Sequence, residues 1–323
     1  MIVRLSGFIS SLAAALLLPV CVSAAPAHPL IDRVWDVREG RAVEAAALFG
    51  RIERAGIALL GEAHGNPAHH ALQLQVLQRL DAQGRQPSLV FEIFDREDQP
   101  TIDRLRAEGV READRLAEAV DVAARGWDWP QYRPLVQLAL DRGWPIVAGN
   151  LSRTDARRIA TEGIAGFEGG RLAARMRDRL ETTARERLED RIMEAHCGHL
   201  PRTHLAAMTD VQQARDAYMA GRLDGIGDAV LIAGAGHVRI DYGVPRYLEG
   251  AAERAVLSIA FVEVREGEHD AAAYLDHAGD GGGDGDAAGA VYDYLWFTPR
   301  SLPEDPCAHF AEQLERMRQR VSQ

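Results

Sequence analysis

The sequence predicts an α/β fold: a mainly parallel central sheet flanked by helices, with an inserted helical subdomain. Three observations predict it. Short apolar runs rich in β-formers alternate with amphipathic stretches, the pattern of βαβ units. Gly, Pro and capping residues punctuate the intervals where helices must start and stop. A long charged stretch, 170–195, interrupts the short-strand rhythm, which marks an insertion.

The first residues, MIVRLSGFISSLAAALLLPVCVSAA, carry one cation at Arg4, an apolar stretch, then small residues. That is the pattern of a secretory leader. The expected cut follows Ala24, which places the mature protein in the periplasm. The apolar part is roughly 13 residues, whereas a spanning helix needs ~20. A lipid anchor on Cys21, giving an outer-membrane lipoprotein, is the competing reading. Against it stands Val20, where lipoprotein signals usually place a small residue.

Strands are expected at 57–60, 88–93, 145–149, 229–233 and 256–264, with helices in the intervals. Pro67 can start a helix over 69–82 and Gly84 can end it. Ser152 with Asp155 reads as a capping pair opening a helix over 153–162. The region 170–195, with Arg and Glu three and four apart, reads as one or two helices with solvated faces. With a helix over 205–220 it makes an insert of about 170–222 inside an α/β domain spanning 43–264. The Gly/Asp-rich stretch 277–289 is a flexible loop on composition; it lacks the terminal Glu of an EF-hand. A strand over 292–297 and a charged helix over 305–320 close the chain, in a C-terminal segment of 290–323.

The net charge is −11, and the leader holds Arg4 but no acid, so the mature chain is one unit more negative. Nucleic acid is excluded as a partner on that balance. No lysine occurs, which excludes Schiff-base chemistry and a P-loop. Loss of the leader leaves Cys197 and Cys307, which can pair in an oxidising compartment. A loop of about 110 residues would give ~4 to 5 kcal/mol in the chain-entropy account.

Ligands of open parallel sheets bind outside the strand carboxyl ends, so the residues found there matter most. The first strand leads into Glu62 and His64, the third ends in Asn150, and the fourth leads into His237. Glu92 sits within the otherwise apolar run SLVFEIF, and a buried carboxylate requires a partner. His64 and His237 are the partners the topology offers, each in a G-x-x-H turn. Glu62 and Asn150 can each instead cap a turn. His196, Cys197 and His199 form only a C-x-H, which without a second pair is a weak metal signal, and Gly198 reads as a helix C-cap.

Gly61, Glu62, Ala63, His64, with Asn66, His69 and His70, then Phe91 and Glu92, then Gly234 to His237, resemble the ChaN-like haem-binding uptake family of the Tiki superfamily. The segment AHCGHLP at 195–201, with Gln212, Arg215 and Asp216, resembles the same family. The likeness spans roughly 43–248. It implies a bacterial haem carrier acting in iron uptake at the cell envelope. Haem would be held between two subunits, so a homodimer forms on haem binding, with a tyrosine on the iron; an outer-membrane haem receptor is an implied partner. A tyrosine ligand suits a carrier of ferric haem. Tyr132 is the preferred ligand because Trp127 and Trp129 flank it; Tyr242 and Tyr247 are the alternatives.

The strand-end residues Glu62, His64, Glu92, Asn150 and His237 are the expected site, and the resemblance implies haem as its ligand. The second function class is a hydrolase of the Tiki or erythromycin esterase type. There Glu62, His64, Glu92 and His237 act as acid and base, or His64, Glu92 and His237 bind a divalent metal. The two classes part on whether apolar surface large enough for a porphyrin lies beside these residues.

Overall fold

The computed structural model describes residues 28–177, 179–250, 254–275, 290–301 and 307. The leader, Cys21, the loop 277–289 and all of the expected last helix except Cys307 lie outside the described residues.

The chain begins with two short strands, β1 (Val34–Asp36) and β2 (Arg41–Val43), followed by α1 (Ala45–Ile52), β3 (Ile57–Glu62) and α2 (Pro67–Ala82). Next come β4 (Ser88–Asp95), α3 (Gln99–Ala107), α4 (Ala113–Ala119), α5 (Trp129–Arg142) and β5 (Ile146–Asn150). Four helices then intervene: α6 (Arg153–Glu162), α7 (Arg171–Met176), α8 (Thr182–Ala195) and α9 (Arg202–Asp224). The chain returns as β6 (Ala229–Gly234), β7 (Val256–Glu263) and β8 (Tyr294–Thr298).

These strands form one sheet in the order β2-β1-β8-β7-β3-β6-β4-β5. β3 to β8 run parallel to their neighbours, and the β1–β2 hairpin adds antiparallel to β8. The sequence shows no sign of that hairpin, whose strands are three residues each, too short to set up a period.

A strand covered on both faces needs apolar residues at every position. In β3, Ala58 and Leu60 pack with α1 to α5, while Ile57 and Leu59 pack with α6, α7 and α9. The sheet is therefore the middle layer between two cores. Helix boundaries follow the local signals: Pro67 opens α2 behind Asn66, whose Oδ1 accepts from the Ala68 N–H, and Gly84 follows α2 at φ +73°. Ser152 caps α6 by accepting from the Asp155 N–H.

The decisive feature for function is the position of β6. It lies between β3 and β4, so the carboxyl ends of three parallel strands stand side by side. Register sets Glu62 opposite Gly234, and Phe91 opposite Ile232. The excursion from β5 to β6, through α6 to α9, covers this end of the sheet. Cys197, just past α8, forms a disulfide with Cys307. Gly198, at φ +70°, ends α8 by donating its N–H to the Met193 carbonyl.

Candidate functional site

At the strand ends, carboxylates and imidazoles alternate in one chain. Glu62 Oε1 lies 3.0 Å from His64 Nδ1, and His64 Nε2 lies 3.9 Å from Glu92 Oε2. Glu92 Oε1 lies 3.3 Å from His237 Nε2, and His237 Nδ1 lies 2.5 Å from Asp216 Oδ1. His64 alone is accessible, with 45% of its side chain exposed, against 6% or less for each of the other four.

The backbone brings these groups together by close approach. A Cβ on Gly61 would stand 2.3 Å from Val238 Cγ2, and one on Gly234 would stand 3.0 Å from His64 Nε2. The Gly234 N–H also donates to Glu92 Oε2 at 2.8 Å. The glycines that open the two G-x-x-H turns are thus needed for space rather than for unusual dihedrals.

Burial alone would push Glu92 toward its neutral form, but His237, His64 and the Gly234 N–H outweigh it, and the carboxyl stays well below its usual range. Burial likewise opposes charge on His237, yet Glu92 on one side and Asp216 on the other push it up to about 10. Burial raises Asp216 to about 6 in spite of His237. His64 is also raised: Glu92 and Glu62 overcome the effect of burial. At neutral pH, His237 is an imidazolium clamped between two carboxylates.

Glu62 is held from behind. Gln73 donates to its Oε2 at 2.6 Å, and the Tyr132 hydroxyl donates to its Oε1. His70 Nε2 donates to the His64 carbonyl, and Trp127 packs edge-on against the His64 ring at 4.9 Å. His69 accepts the Ala63 N–H on Nδ1, so its Nε2–H donates to Thr298 Oγ1 at 2.8 Å. Burial lowers His69 to about 4, consistent with this neutral tautomer.

A cavity of about 940 Å³ opens beside this chain. Glu62, His64, Glu92 and His237 lie in its wall, and the helical excursion supplies apolar surface through Leu188, Ile192, Met208 and Val211. That volume is near the upper end of the ~300–1,000 Å³ typical of small-molecule sites.

Two expectations from the sequence need correction. Asn150 is buried at the end of β5 but does not line the cavity; its Oδ1 accepts the adjacent Leu151 N–H, a local capping role. Tyr132 is not placed to ligate iron, because it lies outside the cavity wall and its hydroxyl is engaged by Glu62. Burial and that carboxylate hold the phenol far above its usual range. Among the described residues, no group of three or more His, Cys, Asp or Glu is arranged to hold an ion. Cys197, being in a disulfide, is not a thiolate ligand either.

Of the alternative tyrosines, Tyr247 donates to Gln213 Oε1 and lies outside the wall. Tyr242 does line the cavity. Its hydroxyl lacks a hydrogen-bond partner among the described residues, and the Arg239 guanidinium sits 4.5 Å from its ring centre. Asp216 and Gln73 are the contributors that strand-end reasoning misses, since both sit on helices.

No curated protein matches the chain significantly. Among solved structures it is similar to ChaN of Campylobacter jejuni with cofacially bound haem, at 19% identity and TM-score 0.61, covering 81% of this chain and 95% of that one. An erythromycin esterase in its open conformation is more distant, at 14% identity and TM-score 0.38, covering 74% of this chain and 81% of that one. The profile of one family, described as haem-binding uptake, Tiki superfamily, ChaN, matches residues 48–248. With more than half of the chain matched, this protein belongs to the ChaN haem-binding uptake family of the Tiki superfamily.

Proposed function

We propose that this protein binds haem in the cavity beside the His64–Glu92–His237 chain and carries it during iron uptake at the bacterial cell envelope. The observation that carries the reading is the cavity itself: about 940 Å³, apolar on its helical side and polar at the strand ends. The donor set fits a ferric porphyrin. Tyr242 offers a buried hydroxyl with no competing partner; burial holds its phenol above its usual range, and Arg239 over its ring offsets that only in part. Bound haem would supply an iron centre that a tyrosine ligand holds in the ferric state, which suits carriage rather than turnover. His64, with Trp127 packed edge-on against its ring, stands in the wall of the site.

The Cys197–Cys307 disulfide supports an oxidising compartment, in line with export through the leader at 1–24 and a periplasmic location. Anchoring through Cys21 is the other form of export. The cofacial haem of the Campylobacter protein supports pairing of two copies on haem binding. An outer-membrane haem receptor completes the route as a partner.

The hydrolase reading is favoured by one observation: His64 is half-exposed and oriented by carboxylates on both sides. Its raised pKa suits a general acid more than a base. Titration of the mature protein with haemin separates the readings. The carrier binds stoichiometrically with a shifted Soret band and a ferric high-spin spectrum. An unchanged haemin spectrum together with ester hydrolysis that requires His64 would replace it.

A further inference from the structure

Five arginines line the cavity, in a protein where acids outnumber bases. Three of them are occupied. Arg191 pairs with Glu194 at 3.0 Å, Arg239 pairs with Asp241 at 2.7 Å, and Arg265 donates to the Ala273 carbonyl at 2.8 Å. The cavity's own acids are occupied as well: Glu62 and Glu92 by the imidazoles, Glu263 by Asn66 and Ser301. Arg157 on α6 and Arg215 on α9 remain, and neither guanidinium has a hydrogen bond or ion pair among the described residues.

Arg215 is the informative one. It is partly buried, and its Nε is fully enclosed without an acceptor. A guanidinium donor removed from water without a partner is destabilising, so an acceptor for it is implied. The nearest carboxylate in sequence, Asp216, points its Oδ1 at His237, and Arg215 acts on it through its charge without a hydrogen bond or ion pair. Arg157 approaches the same cavity from the neighbouring helix and is exposed, as a group at the mouth would be.

We infer that Arg215, assisted by Arg157, forms a carboxylate clamp that takes the acidic side groups of the bound ligand. The planar fork of a guanidinium matches a carboxylate with two parallel N–H···O contacts, and a partly enclosed one binds it with little competition from water. The clamp rests on the haem reading above and deepens it: the ligand must be a porphyrin carrying free carboxylates, and its ester is rejected. Arg215 and Arg157 would then set specificity and orientation, while Tyr242 faces the iron.

The test compares haemin, haemin dimethyl ester and iron-free protoporphyrin IX by equilibrium titration, in the wild type and in Arg215→Gln, Arg215→Lys and Arg157→Gln. Charge-assisted bonds of this kind correspond to roughly a tenfold to hundredfold change in Kd. The wild type should therefore prefer haemin to its dimethyl ester by about tenfold or more. It should bind protoporphyrin IX with the same dependence on Arg215, since the clamp does not involve iron. R215Q should lose the preference, R215K should keep part of it, and R157Q should weaken haemin binding about twofold to fivefold. Equal wild-type affinity for haemin and its ester overturns the clamp while leaving haem binding in place. Wild-type haemin affinity in R215Q does the same. Absence of any porphyrin binding by the wild type overturns the haem reading and the clamp together. If R215Q fails to fold, the ester comparison in the wild type decides alone.

Discussion

Glu92 Oε1 lies 3.3 Å from His237 Nε2, so the carboxylate buried at the end of β4 is met by an imidazole from the end of β6 rather than by an arginine. This bears on what its loss should do. A stranded guanidinium cannot shed its proton, but His237 and His64 can, which relieves much of the penalty. Glu92→Gln should lower stability by only about 1–2 kcal/mol, as expected for losing a charged hydrogen-bond acceptor. Haemin affinity should fall by a larger factor. Tm and haemin titration on one preparation check it; lost stability with intact affinity would count against a role for Glu92 in the site.

The pH dependence of stability follows mainly from His237 and His69, with Asp216 opposing His69: raised from 3.8 to about 6, it removes stability as pH rises through that range. His237 is raised from 6.5 to about 10, so its contribution is complete below about pH 6.5 and is lost as pH rises through 10. His69 is lowered from 6.5 to about 4, so its contribution is present above about 6.5 and is lost as pH falls through 4. Glu92, lowered as well, adds to the acid side. Stability should be greatest over a broad range, about pH 5 to 7, where the opposing slopes of Asp216 and His69 offset each other. In His237→Gln the alkaline fall should flatten, by on the order of 2–4 kcal/mol across the window. Denaturant unfolding at five or six pH values measures both slopes, and an unaltered alkaline limb in the variant would refute the clamped imidazolium.

Gly234→Ala tests the close approach. The added methyl would stand 3.0 Å from His64 Nε2 and 3.6 Å from Glu92 Oε2, so the His64 ring must move. The expected result is a folded protein, destabilised by about 1–3 kcal/mol as in overpacked cores, with a shifted His64 titration by NMR. An unshifted His64 titration in a folded variant would show that the ring does not sit against this turn.

Reduction of the Cys197–Cys307 disulfide opens a loop of 110 residues in the unfolded chain. Loss of about 2–4 kcal/mol is expected, and Cys197→Ser with Cys307→Ser should reproduce it without reductant. Calorimetry with and without reductant measures the loss, and an unchanged Tm would contradict a stabilising role.

The strand ends were the legible part of the site. Glu62, His64, Glu92 and His237 each follow or interrupt an apolar run, and in a parallel sheet such positions converge whatever the details of packing. Asp216 was readable only through its resemblance to the family. Within α9, polar residues recur around the helix, and only its packing on the sheet turns that one carboxylate toward His237. Tyr132 was the preferred iron ligand because two tryptophans flank it, yet it lies in α5 and packs on His70 of α2 and the Glu62 carboxylate. Asn150 ends its strand as the others do, but β5 is the edge strand, one position beyond the row formed by β3, β6 and β4. Strand order, which decides that, is a property of the whole chain and not of any local run.

The most direct test of haem binding in this cavity is to fill the cavity. Ala160 lines it from the exposed face of α6, where a larger side chain can be added without disturbing either core. Haemin titration should be stoichiometric for the wild type. It should be lost, or weakened by at least about tenfold, in Ala160→Trp of unchanged Tm, as expected when a filled pocket excludes its ligand. Equal haemin binding by a folded Ala160→Trp variant and the wild type would contradict the account.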